Sequence, residues 1–143
     1  MAALPEYIGL MVRKQIPGIV PWYLVAGLVK WESSFNRLAV SPAGAWGLGQ
    51  AMIGTWDTYG KGSPTNPSDM LDFVVNYLEV VAYTLAPLGR ATMRWVVYGY
   101  SAGPGNAQRA RDWNDTIPEY RAHAERVERS ALEYKAMFGD LNP

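Results

Sequence analysis

Glu32 is the residue from which chemistry could start. It closes a stretch, residues 22–31, that is apolar on every face except at Lys30, and Ser33, Ser34 and a break at Phe35-Asn36 follow it. A helix that is apolar all round belongs inside a protein, so a carboxyl group at its end is partly stripped of water. Desolvation and the negative end of the helix dipole both disfavour the charged form. A carboxyl that keeps its proton can hand it to a leaving oxygen, the work of a general acid. The same position also suits a solvated helix-end glutamate paired with Lys30 or Arg37. By position alone that reading stands ahead, because most glutamates lie in water.

Other chemistry is poorly supplied. Cysteine is absent, which removes thiolate metal sites, Cys nucleophiles and disulfide frameworks together. The single histidine, His123, stands among charged residues and reads as a surface or cap-proximal imidazole. One His without Cys argues against a transition-metal site, and no metal or cofactor is expected. Lys+Arg and Asp+Glu balance at 13 each, so there is no basic excess for phosphates and nucleic acid is not an expected partner. Six Trp and nine Tyr outnumber three Phe, a bias toward amphipathic rings that suits stacking on sugars or peptides. Trp46 and Trp56 flank glycine-rich turns and could stack on sugar rings. Trp22, Trp31 and Trp95 read as core, Trp113 as either, and Met1, Met11, Met70, Met93 and Met137 as scattered core fillers.

The elements that must position these residues are helical almost throughout. Residues 5–16 make a first helix stopped by Pro17-Gly18, and Pro21 opens the buried helix that ends at Glu32. Six of the 14 glycines fall between Ser41 and Gly62, a loop region with short helical turns. Asn66 caps the next helix, whose apolar residues Leu71, Val74, Val75, Leu78, Val81, Ala82 and Leu85 keep the helical period until Pro87 and Gly89. Residues 92–101 form a further apolar helix closed by Gly103-Pro104-Gly105. After Pro118 the residues Tyr120, Ala124, Val127, Ala131, Tyr134 and Phe138 recur at helical steps up to Gly139. The expected fold class is mainly α, and 143 residues suit one domain with one core. The uncharged run at residues 15–29 is broken by Pro17, Gly18 and Pro21 and falls short of a bilayer span. Residues 1–10 lack the basic and apolar regions of a signal peptide, so no membrane span and no export address are expected.

The surroundings of Glu32 carry a pattern. Glu32-Ser-Ser-Phe is followed by Ala39-Val-Ser41, by Gly44-Ala-Trp-Gly47-Leu-Gly49-Gln50-Ala-Met52 and by Thr55. Asn66-Pro67 with Tyr77-Leu78, then Gly99-Tyr100-Ser101-Ala102-Gly103-Pro104-Gly105, then Ile117-Pro118-Glu119, continue it in order. Over about residues 21–127 this resembles the soluble lytic transglycosylases. These are bacterial and phage enzymes that cleave peptidoglycan glycan strands on a goose-lysozyme-like α fold. The resemblance implies that Glu32 is the catalytic acid/base. It would protonate the glycosidic oxygen between N-acetylmuramic acid and N-acetylglucosamine, then take a proton from the C6 hydroxyl to leave a 1,6-anhydro sugar. The substrate N-acetyl group would serve as internal nucleophile. Ser41 falls on the residue that orients that N-acetyl group, and Gln50 and Met52 fall on cleft-lining positions. Tyr100 falls beside the catalytic carboxyl, and Glu119 on a second glutamate near the site. The turns Gly44–Gly49 and Gly103–Gly105 are expected to let backbone approach the glycan.

The sequence departs from that pattern at Gly49, usually Met; Ile53, usually Pro; Ser101, usually Asn; Tyr120, usually Thr; and His123, commonly Tyr. These bear on cleft shape more than on the acid. Two other classes stand beside the lyase. A lysozyme-type hydrolase on the same scaffold would need a water-holding carboxylate such as Asp57, whose plainer role is a turn or cap. A silent glycan-binding or structural virion module would need neither Glu32 nor Tyr100. Neutral charge suits a phage virion or tail component that opens the wall locally, with other virion or cell-wall proteins as partners. It suits equally a domain of a larger cell-wall enzyme. The expected place of action is the periplasm or cell wall.

Overall fold

A computed structural model describes residues 4–143, so Met1, expected among the core fillers, lies outside the described residues. The described residues form seven α-helices: α1 (Leu4–Lys14), α2 (Trp22–Ser33), α3 (Ile53–Tyr59), α4 (Pro67–Leu85), α5 (Met93–Ala102), α6 (Pro104–Arg109) and α7 (Pro118–Phe138). Short 3-10 turns follow α4 and precede α7, and no strand is formed among the described residues. The helix α6 begins where the sequence suggested only a closing Gly-Pro-Gly turn. Gly103 turns the chain at φ 95°, and Pro104 then enters at the first helical position, where a missing N–H costs nothing.

The helix α2 is the axis of the molecule. Trp22, Leu24, Val25, Ala26, Gly27, Leu28 and Val29 are all buried, which leaves no apolar stripe because every face meets protein. The most extensive helix pair joins α2 to α7. The two run antiparallel: the Trp22 ring meets Phe138 edge-on at 6.0 Å, and the Trp31 indole N–H donates to Ser130 Oγ at 2.8 Å. Gly27 makes the contact possible, since a Cβ there would lie 2.9 Å from the Val127 carbonyl oxygen and 3.0 Å from the Ala131 nitrogen. On α7 the buried positions Ala124, Val127, Ser130, Ala131 and Tyr134 follow the expected period, while Phe138 is half exposed.

The helix α4 starts as its cap dictates: Asn66 Oδ1 accepts the Asp69 N–H at 3.0 Å, with Pro67 in the first turn. With the turn after it (Pro67–Leu88, mean hydropathy 1.3) it is long and apolar enough to cross a bilayer. Nine of its residues between Met70 and Leu85 are buried in the core against α1, α5 and α6, which accounts for most of that composition, while Tyr83 is exposed. Fully burying one Leu or Val of this set contributes about 1.5–3 kcal/mol. Several ring and methionine placements differ from the sequence reading. Trp31 is 43% exposed, with Lys30 and Arg126 over its ring, and Met137 is 69% exposed on the last turn of α7. Trp56, expected at a sugar-stacking surface, is instead buried against Phe73 at 5.4 Å.

Candidate active site

The helices α2, α4, α5 and α7 form one wall of an open cleft of about 590 Å³, and the segment from Ser41 to Met52 with the start of α3 forms the other. Glu32 enters from the last turn of α2. The helix ends just beyond it because Ser34 (φ 52°) and then Phe35 (φ 63°) turn left-handed, with the Ser34 N–H capping the Lys30 carbonyl at 3.0 Å. Left-handed backbone is costly for a bulky residue, and burial of the Phe35 ring offsets it. The Glu32 side chain retains 18% exposure, and its Oε2 lies 3.3 Å from His123 Nε2 on α7.

The loop wall is held by its own polar groups. Val40, Trp46 and Ala51 form isolated antiparallel bridges. The Ala45 N–H donates to Ser41 Oγ at 3.0 Å, and the Ser41 N–H donates back to the Ala45 carbonyl at 2.9 Å. Gln50 sits at φ 51°, and its Nε2 donates to the Ala39 carbonyl at 3.2 Å and the Gly47 carbonyl at 3.0 Å. The neighbouring Gly49 has no room for a side chain: a Cβ would collide with Val74 Cγ2 and lie 2.8 Å from the Tyr100 hydroxyl. This glycine therefore brings the loop against α4 and α5 of the protein itself, where the sequence suggested an approach to glycan.

The two walls are tied by Tyr100, whose hydroxyl donates to the Gly49 carbonyl at 2.7 Å. Burial, then the Glu32 carboxylate, then Tyr77 push the Tyr100 phenol well above its usual value, so it remains a donor. Tyr77 packs on Tyr100 at 5.4 Å and on Phe73 at 5.8 Å, and burial raises its phenol as well.

Of the residues singled out in the sequence, Glu32, Ser41, Gln50, Met52, Tyr100 and Glu119 all line this cleft. Trp46 does not line it; its ring is 40% exposed on the same loop. Asp57 is exposed on α3 and does not line it either. His123, expected at the surface or near a cap, faces the cleft because α7 lies along α2. A signal for this existed in the spacing: Glu119, His123 and Arg126 step by four and three residues and so share one stripe of a helix, which here is the cleft stripe. No cluster of His, Asp or Glu suited to a metal occurs among the described residues.

The helical scaffold is shared with a defined family. The chain belongs to the transglycosylase SLT domain family, whose model matches residues 13–121. Among solved structures, it is similar to the 70 kDa soluble lytic transglycosylase SLT70 of Escherichia coli, with 24% identity and a TM-score of 0.76. It is also similar to an inactive mutant of lytic transglycosylase Slt from Pseudomonas aeruginosa, with 22% identity and a TM-score of 0.76. A 70 kDa soluble lytic transglycosylase in complex with bulgecin A matches at 24% identity and a TM-score of 0.78. Each match covers 94% of this chain and 25% of the other, so the chain spans about a quarter of the length of those proteins. The fold is the mainly helical fold of these enzymes.

Proposed function

We propose that this chain is a peptidoglycan lytic transglycosylase whose catalytic unit is the single domain described above. It would cleave the bond between N-acetylmuramic acid and N-acetylglucosamine and leave a 1,6-anhydromuramic end. The observation that carries the reading is the position of Glu32, 18% exposed at the end of a buried helix and opening into a cleft of about 590 Å³. A volume of that order holds a ligand of a few hundred daltons. Glu32 would give its proton to the glycosidic oxygen and recover one from the C6 hydroxyl, so its protonation is restored each turnover. Ser41 Oγ already accepts the Ala45 N–H, which leaves its own O–H to donate to an acetamido carbonyl. The Tyr100 hydroxyl is committed to the Gly49 carbonyl, so its part is to hold the loop at its distance from Glu32. Gln50 would act in the same way, and Met52 and Glu119 would line the path of the strand. Trp46 would meet a glycan only where the strand runs past the cleft.

The similar solved structures support this reading: they are lytic transglycosylases, one of them an inactive glutamate-to-glutamine mutant and one bound to bulgecin A. The place of action that follows is the bacterial cell wall. A hydrolase outcome would need a second carboxylate to hold water. With Asp57 outside the cleft, Glu119 is the residue that would have to serve.

Mass spectrometry of products from purified peptidoglycan decides between the outcomes. Anhydromuramic ends are expected from the wild type, with Glu32→Gln slower by about 10²–10⁴-fold, the usual contribution of a positioned acid/base, and with its melting temperature retained. Reducing ends, heavier by one water, would transfer the reading to a hydrolase. No cleavage of intact wall or free strands by the wild type would leave a glycan-binding or structural module.

A further inference from the structure

His123 is the chain's single histidine, and its Nε2 is buried with no aligned hydrogen bond. That nitrogen nevertheless lies 3.3 Å from Glu32 Oε2, within ion-pair range, and the two side chains are 16% and 18% exposed. A buried polar atom without a partner carries a cost unless another group, or another protonation state, satisfies it. The carboxyl assigned above to proton transfer is within its reach.

We propose that His123 is a positioning residue that shares a proton with Glu32. When the imidazole is protonated it stabilises the ionised carboxylate and withholds the acid. When it is neutral, the proton that remains on the pair belongs to Glu32 and can be delivered. The consequence for cleavage rests on the function proposed above; the coupling itself does not.

The remaining groups facing the pair leave this balance in place. On α7, Glu119, Tyr120 and Arg126 line the same cleft, the first and last with opposite charges, and Arg126 also stacks over Trp31 at 5.3 Å. From α5 and α4 come the phenols of Tyr100 and Tyr77, both held neutral by burial. Farther along, Arg94 of α5 is occupied by Glu128 at 2.7 Å.

A protein with one histidine needs no assignment to follow that ring by proton NMR. In Glu32→Gln the carboxylate charge is gone, and the titration midpoint of the imidazole is expected at lower pH than in the wild type. In His123→Gln no imidazolium competes for the ionised carboxylate, so the alkaline fall of kcat/KM on glycan strands is expected at higher pH. Coincident NMR titrations of wild type and Glu32→Gln, both folded by circular dichroism, would overturn the coupling. Superimposed pH profiles of wild type and His123→Gln, with only the height changed, would show a merely structural histidine and also overturn it. Should the wild type cleave nothing at any pH, the proposed function fails while the NMR comparison still decides whether the proton is shared.

Discussion

The two walls of the cleft are built by opposite means. The helical wall is a consequence of apolar burial: α2 is buried from Leu24 to Val29, and Glu32 and His123 project from helices whose other faces are fixed in the core. The loop wall has little core of its own. It leaves Trp46 and Met52 exposed, and it keeps its shape through bonds between backbone and the side chains of Ser41, Gln50 and Tyr100. Groups that must hold a fixed distance for proton transfer sit on the first wall. Groups that meet a substrate of varied outline sit on the second. Rigidity comes from packing in one case and from a few hydrogen bonds in the other, so the two should fail differently.

The largest effect is expected from breaking the helical wall. Gly27→Val places atoms against the Val127 carbonyl and the Ala131 backbone and should cost about 1–3 kcal/mol, the usual range for overpacking. A urea midpoint checks this, and cleavage should fall with it although Glu32 is untouched. A loss confined to activity, with stability intact, would mean that the α2–α7 spacing is softer than the contact distances imply.

Tyr100→Phe tests the tie between the walls. Removing the O–H leaves the Gly49 carbonyl without that donor and should cost about 1–2 kcal/mol. The loss should also depend on pH. The folded state holds the Tyr100 proton above the pH at which an unfolded tyrosine releases it, 10.0. The unfolded chain therefore binds fewer protons above that pH, and stability, full below it, declines as pH rises through it. In Tyr100→Phe that alkaline decline should be shallower, not absent, because Tyr7, Tyr77 and Tyr134 are raised by burial too. Denaturation midpoints measured on both sides of pH 10 read the difference.

The smallest effect separates two residues with the same backbone twist. Gln50 and Ser34 are both left-handed, at φ 51° and φ 52°. Gln50 makes two side-chain bonds there, whereas the exposed Ser34 makes none. Gln50→Gly should lower stability by about 1 kcal/mol net, since glycine relieves the backbone while both bonds vanish. Ser34→Gly should leave it unchanged or raise it by up to about 1 kcal/mol. Equal responses at the two positions would show that the loop wall does not depend on its side-chain bonds.

The helical wall was also the more legible in sequence. Periodicity located α4 and α7, the Asn66 cap and the burial of α2, because those features follow from local pattern. The loop wall showed its composition, many glycines and a serine, but not which groups the chain would turn inward. Gly49 illustrates the gap: its need for no side chain depends on Val74 and on Tyr100, fifty-one residues away. His123 was misplaced for the same reason. Its own neighbours are charged, and only the register of α7 on α2 shows that it faces Glu32. Trp56 and Trp31 exchanged their expected surroundings because an aromatic beside a turn and an aromatic inside a helix do not differ locally in burial.

Gly27 also works as a gauge. A helix advances about 1.5 Å per residue, so Glu32 stands about 7.5 Å along α2 from the point where the two backbones touch. His123 stands about 6 Å along α7 from Val127 in the opposite sense of the chain. Sliding one helix by a single residue, about 1.5 Å, would reset the 3.3 Å gap between them. The distance between carboxyl and imidazole is thus a vernier reading of the seam between α2 and α7. A substitution along that seam, even one far from the cleft, should therefore reach the cleft as a change in that distance.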